Sequence, residues 1–197
     1  MAIEEQTSFP HWNYFLALDD DLERLSRFIE FTEANYECFS IELARTLMLA
    51  SAEVDVVAKQ LCKTIAPDRA ADKITHYQAI IPIAYSYFAN ATVYIPRHAP
   101  LKLCPWENWA KNQTPDWWRA HNDVKHDRHT HFSNATLKNA LNAVAALLLA
   151  VIHLYPDAAR GSMLAPNPKL FRVGDPIGSV LLLSGDGVLS YGVERDG

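Results

Sequence analysis

Apolar positions recur at helical rather than strand spacing over most of this chain, and the pattern predicts five helices before any strand. Leu18, Leu22, Leu25, Phe28 and Ile29 form the stripe of a first helix over Asp19–Phe31, with Asp19 to Asp21 as an acidic first turn and Met1–Phe9 as a frayed start. Ser40 is placed to cap a second helix, Ile41–Ile65. Ile41, Ala44, Leu47, Met48, Val54, Ala58, Leu61 and Ile65 keep helical spacing along it, and Pro67 stops it. Asp72 is set to cap a third, Lys73–Ile81, which Pro82 disturbs. The tyrosine-rich segment Ile83–Leu103, broken by Pro96 and Pro100, reads as a short helix and then a partly extended excursion, and Trp106–Lys111 as one short helical turn. A last helix, Asn134–Tyr155, starts from Ser133, and Asn139 and Asn142 near its start are polar enough to face the helix before it. Its centre, Ala143–Ile152, is apolar on every side, as in a helix buried centrally or lying at a subunit interface; that run is too short to span a bilayer.

Beyond Pro156 the pattern changes. Pro156, Gly161, Pro166 and Pro168 mark a linker, and Leu170–Val173, Ser179–Leu183 and Val188–Val193 read as short strands with Ser184-Gly185-Asp186-Gly187 as a hairpin turn. The predicted fold is therefore mainly α. A helical bundle covers residues 1–155, and residues 156–197 are a linker plus a small β appendage packed on the bundle, because a lone hairpin is marginal in water.

The densest chemistry lies in Thr114–His131, which holds two of the five tryptophans and four of the eight histidines. Thr114 as N-cap, Pro115 at the first helical position and Asp116 at the positive end of the dipole predict a helix over Pro115–Asp127. At roughly 100° per residue, Arg119, Asn122 and His126 fall within about 60° of one another, while the two tryptophans sit elsewhere on the circle, free to anchor the helix to a core.

A length of 197 residues suits one ordinary domain. The net charge of −5 argues against broad, sequence-blind nucleic-acid binding, yet Arg119, Lys125, Arg128 and the histidines make one locally basic patch. Cys38, Cys62 and Cys104 follow no disulfide or metal spacing, and with no signal peptide at the start the expected location is the cytoplasm. His126, His129 and His131 form H-x-x-H-x-H, which matches no standard zinc pattern, so no metal is expected. No Gly-rich phosphate loop, G-x-S-x-G or catalytic-cysteine setting is present, and no cofactor is implied.

Three readings of the stripe follow. Structurally, Arg119 pairs with an acidic group, Asn122 bridges helices and His126 is an interior histidine. Catalytically, His126 is a general acid or base and Arg119 stabilises phosphate charge. As a pocket, the stripe binds a nucleotide or other phosphate without turnover. Trp106, Trp109, Trp117 and Trp118 have the chemistry to stack bases, but tryptophans at helical spacing are by default core. Asp55 and Lys59, four apart, are set to pair; Glu53 sits among small and apolar neighbours that offer it no such partner.

The run L-A-S-A-E-V-D-V-V-A-K-Q-L-C on the second helix, then W-W-R-A-H-N-D-V-K-H-D-R and an apolar helix, resembles the HEPN superfamily over about Asp19 to Tyr155. The resemblance implies an all-α bundle that dimerises and a metal-independent ribonuclease of toxin–antitoxin, abortive-infection or CRISPR systems. Arg119 with His126 gives R-x6-H, with Ala120 where a polar residue is usual. A second register, His121-Asn122-x-x-x-His126, follows the commoner family spacing with His in place of Arg. The implied catalytic residues are Arg119, His126 and Asn122. His121, Lys125 and Arg128 would assist binding, and Glu53 would match the acidic residue that some members carry on an earlier helix. The implied partners are a second copy, RNA, and an antitoxin or other protein; no membrane is expected. The alternative is a HEPN-like interaction module without activity.

Overall fold

A computed structural model describes residues 8–97, 101–181 and 187–196. It is mainly helical, with two small antiparallel sheets. The organising element is α6 (Leu137–Leu154). Every residue from Ala143 to His153 is buried, and α6 packs along α2 (Ile41–Ile65), with α1 (Pro10–Leu25) and α4 (Asp116–His126) against it as well. By length and composition α6 is apolar enough to cross a bilayer, but 78% of that window is buried inside the chain, the setting of a core helix. The centrally buried alternative is therefore the one adopted.

Helix α2 has the predicted bounds. The Ser40 hydroxyl accepts the Leu43 N–H at 3.1 Å, and Leu43, Leu47, Ala50, Val54 and Leu61 form its buried side. Other boundaries differ. The first helix begins at Pro10 and ends at Leu25, because Trp12 and Phe15 extend the apolar stripe upstream of Leu18. Asp19 is thus not in a first turn but in mid-helix and buried, and Phe28 is exposed. The last helix starts at Leu137, not Asn134. Thr136 caps it, its hydroxyl accepting the Asn139 N–H at 3.2 Å, and an isolated bridge from Phe39 to Thr136 supports the extended backbone there. Helix α3 (Ile74–Ala84) carries Pro82 inside it and has no side-chain cap; Asp72 pairs instead with His76.

The excursion after α3 holds β1 (Val93–Ile95) and β2 (Leu101–Leu103), an antiparallel pair. Helices α5 (Arg128–His131) and α7 (Pro156–Arg160) are short, and α7 occupies the start of the predicted linker. The C-terminal β segment is more than an appendage: β3 (Arg172–Val173) pairs with β1, completing a sheet in the order β2-β1-β3. Strands β4 (Ser179–Leu181) and β5 (Leu189–Tyr191) form the predicted antiparallel pair, while Ser184 to Asp186 of the hairpin turn lie outside the described residues, as does most of the N-terminal segment.

Candidate functional site: the outward face of α4

The inner side of α4 is fixed by aromatic packing. Trp117 donates its indole N–H to the Pro105 carbonyl at 2.7 Å. Its ring meets Trp106 at 5.2 Å and Trp118 at 5.5 Å, and Trp106 and Trp109 lie 4.3 Å apart. All four rings are buried, so they are core rather than a stacking platform. Ala120, His121 and Val124 complete the inner face. The helix starts one residue later than predicted, with Pro115 rather than Thr114 in the cap position and no side-chain cap.

With that side locked, Arg119 and His126 face solvent and Asn122 is half-buried on the same side. Arg119 pairs with Asp116, one turn toward the N-terminus, as the structural reading expected. Being exposed, His126 is no interior histidine. Arg119 and His126 are seven residues apart, about 10 Å along the axis, and the ion pair points the guanidinium away from His126.

The histidine that is interior is His121. Burial, more than the charges of Lys125 and His126, pushes its pKa down to about 4, against a smaller opposing pull from Asp55. Its ring lies 5.7 Å from Trp118, and Nδ1 is buried without a hydrogen-bond partner. Of the two registers, then, His121 with His126 is split between core and solvent, whereas Arg119 with His126 shares one exposed face.

Glu53 lies elsewhere. It binds His11 Nδ1 at 2.5 Å, and Gln60 contacts His11 Nε2 at 2.9 Å. Two positions along α2, about 200° around the helix, Asp55 accepts the Tyr77 hydroxyl at 2.6 Å and pairs with Lys59, and it is the carboxylate felt by His121. Of these two α2 acids it is therefore Asp55 that acts on the motif helix, through His121, although sequence reasoning assigned it only to its Lys59 pair. His11 was missed altogether, because a lone histidine beside an N-terminal segment carries no sequence signal.

Lys125 and Arg128 line a groove of about 430 Å³ between α4 and α2, with Ile41, Ala44, Arg45, Met48, Leu49 and Val124. The Arg128 guanidinium also sits over Phe132 at 5.5 Å. His129 pairs with Asp127 at 2.8 Å. Among the described residues no three His, Cys, Asp or Glu side chains cluster as a metal site would require. Asn139 and Asn142 line a second groove with Asp116 and Trp117, facing the motif helix as predicted.

Fold and site together define a helical-bundle protein with a half-exposed helix that carries Arg119, Asn122 and His126 on its outer side. Comparison with protein-family models, curated proteins and solved structures returns no match.

Proposed function

We propose that the chain is a HEPN-like protein of microbial defence or stress systems that acts on RNA, engaging phosphate through the outward face of α4 and cleaving without metal. The observation that supports this most directly is that exposed Arg119 and His126 flank half-buried Asn122 on one side of a helix whose opposite side is locked by tryptophans. In the reaction, the 2′-hydroxyl oxygen attacks the adjacent phosphorus as His126 takes its proton, and the 5′-oxygen leaves with a proton from water, to which His126 then returns the one it took. The products are a 2′,3′-cyclic phosphate and a 5′-hydroxyl. Arg119 exchanges Asp116 for the phosphorane oxygens, one charge-assisted pair for another, and Asn122 orients the phosphate. Because Arg119 and His126 of one helix are about 10 Å apart, a homodimer with two motif helices facing one phosphodiester suits the chemistry better than a single chain.

The second reading is an interaction module without turnover. Two observations favour it: Asp116 already satisfies Arg119, and His121 is buried where the commoner pattern has an arginine.

The test is cleavage of a mixed RNA panel by the purified chain in EDTA, beside Arg119→Ala and His126→Ala. Cyclic-phosphate products from the wild type alone are expected. No cleavage by any protein selects the module, and equal cleavage by all three removes the α4 face from the reaction.

A further inference from the structure

The outer side of α2 carries a second surface. Ile41, Arg45, Met48, Leu49, Ala52 and Val56 follow one another at helical spacing, opposite the buried Leu43, Leu47, Ala50, Val54 and Leu61. Ile41 is 67% exposed, Val56 43% and Leu49 37%, and nearby Phe39 is 51% exposed. From Ile41 to Val56 this stripe runs about 22 Å. Its N-terminal half forms one wall of the α2–α4 groove, whose other wall is Val124, Lys125 and Arg128.

The charges at the groove are one-sided. Arg45 is held by Asp21 at 2.9 Å and Glu42 at 3.0 Å. Among the described residues, Lys125 and Arg128 have no carboxylate within 4 Å, although the chain as a whole carries a net charge of −5. Two uncompensated cations thus stand at one end of an apolar stripe. The groove lining offers aliphatic side chains and no aromatic ring, so it lacks the stacking surface that single-stranded RNA uses. The stripe is longer than a small anion needs, and its spacing is that of one helix packed along another.

From this geometry we infer that the α2–α4 groove docks an amphipathic helix of a partner protein, with carboxylates at the end that meets Lys125 and Arg128 and aliphatic residues along Met48, Leu49, Ala52 and Val56. This surface is distinct from the Arg119, Asn122 and His126 face, but it takes Lys125 and Arg128, to which the family resemblance gives a part in RNA binding, so the RNA arm of the test separates the two roles.

The probe is a synthetic helical peptide of about four turns, leucine-striped with glutamates at one end, beside a twin in which each glutamate is lysine. Binding is read by fluorescence anisotropy with the full chain. The acidic peptide is expected to bind more tightly than its twin and to weaken as salt rises. Leu49→Glu and the double variant Lys125→Glu/Arg128→Glu are each expected to weaken it at least about tenfold with unchanged thermal midpoints, and the double variant is expected to prefer the lysine twin. Equal affinity for the two peptides would overturn the inference, as would displacement of the acidic peptide by a single-stranded RNA oligonucleotide that Lys125→Glu/Arg128→Glu no longer binds. Sedimentation equilibrium supplies the remaining arm: a dimer of the chain alone that Leu49→Glu dissociates would assign the groove to a second copy instead.

Discussion

Replacing Asp19 by alanine should detach the C-terminal segment from the bundle. Asp19 sits in mid-α1 at 1% exposure. Its carboxylate accepts the Lys169 N–H at 2.6 Å and the Leu170 N–H at 3.1 Å, about 150 residues away along the chain. Those bonds hold Leu170 and Phe171 in the core just before β3. The alanine variant leaves the buried Leu170 N–H without an acceptor, at a cost of about 1–3 kcal/mol, and the partly buried Lys169 N–H at a smaller cost, and removing the buried charge offsets part of this. A net loss of about 2 kcal/mol lowers the midpoint of a chain this size by ~4–8 °C. Asp19→Asn keeps one acceptor and should lose about half as much. Burial raises the Asp19 pKa despite the opposing N–H groups of Lys169, Leu170 and Phe171. The folded state therefore holds this proton more tightly than the unfolded one, and the carboxyl's contribution to stability falls as pH rises through the raised value. The advantage of wild type over Asp19→Asn should shrink in that direction. Calorimetric melts of the three proteins across the acid range decide the matter. A drop of under a degree or two for Asp19→Ala would mean that the two N–H groups are hydrated and that α1 does not anchor β3.

Two further outcomes are expected. Ser40→Ala removes the acceptor for the Leu43 N–H and should cost about 1 kcal/mol, read as a lower urea midpoint at unchanged slope. The His121 ring should titrate near pH 4 rather than 6.5 in an NMR pH series, so its contribution to stability is intact above pH 6.5 and is lost as pH falls toward 4; a midpoint near 6.5 would contradict its burial.

Where local chemistry decides, the elements were readable in the sequence. Ser40 and Pro67 bracket α2 because a cap and a breaker act within a turn of where they stand. That Arg119, Asn122 and His126 share one side of α4, with the tryptophans elsewhere on the circle, follows from residue spacing, whereas the exposure of that side does not. What the sequence concealed depends on distant partners. Asp19 looks like first-turn charge until β3 is folded beside it, and a buried acid with two backbone N–H donors is indistinguishable in sequence from a solvated one. Ser133 and Thr136 are equally good caps on paper. The bridge between Phe39 and Thr136 is associated with the choice of Thr136, and it joins segments nearly a hundred residues apart. Residue spacing ranks Glu53 above Asp55 only because Asp55 has Lys59 four residues on, and which side of α2 meets α4 is a property of the packing.

The circumference of α4 separates three kinds of contact. Trp117, Trp118 and Val124 face inward and fix its rotation, so the direction of every other side chain on it is determined by the core. One consequence is that His121 and His126, five positions apart, live in different solvents: the first is held neutral by burial, the second is in water. Another is that the cations divide. Arg119 sits with Asp116 on the outward face, while Lys125 and Arg128 turn toward α2 and an aliphatic groove. A phosphate approaching Arg119 must compete with a carboxylate already bound to it, whereas an acidic partner approaching Lys125 and Arg128 displaces no carboxylate of the described residues within ion-pair reach. Electrostatics alone therefore favour occupation of the groove over occupation of the stripe. The Arg119–Asp116 pair is itself exposed, of the kind worth only about 0–1 kcal/mol, so a phosphate that meets Arg119 together with other donors gives up little in replacing Asp116.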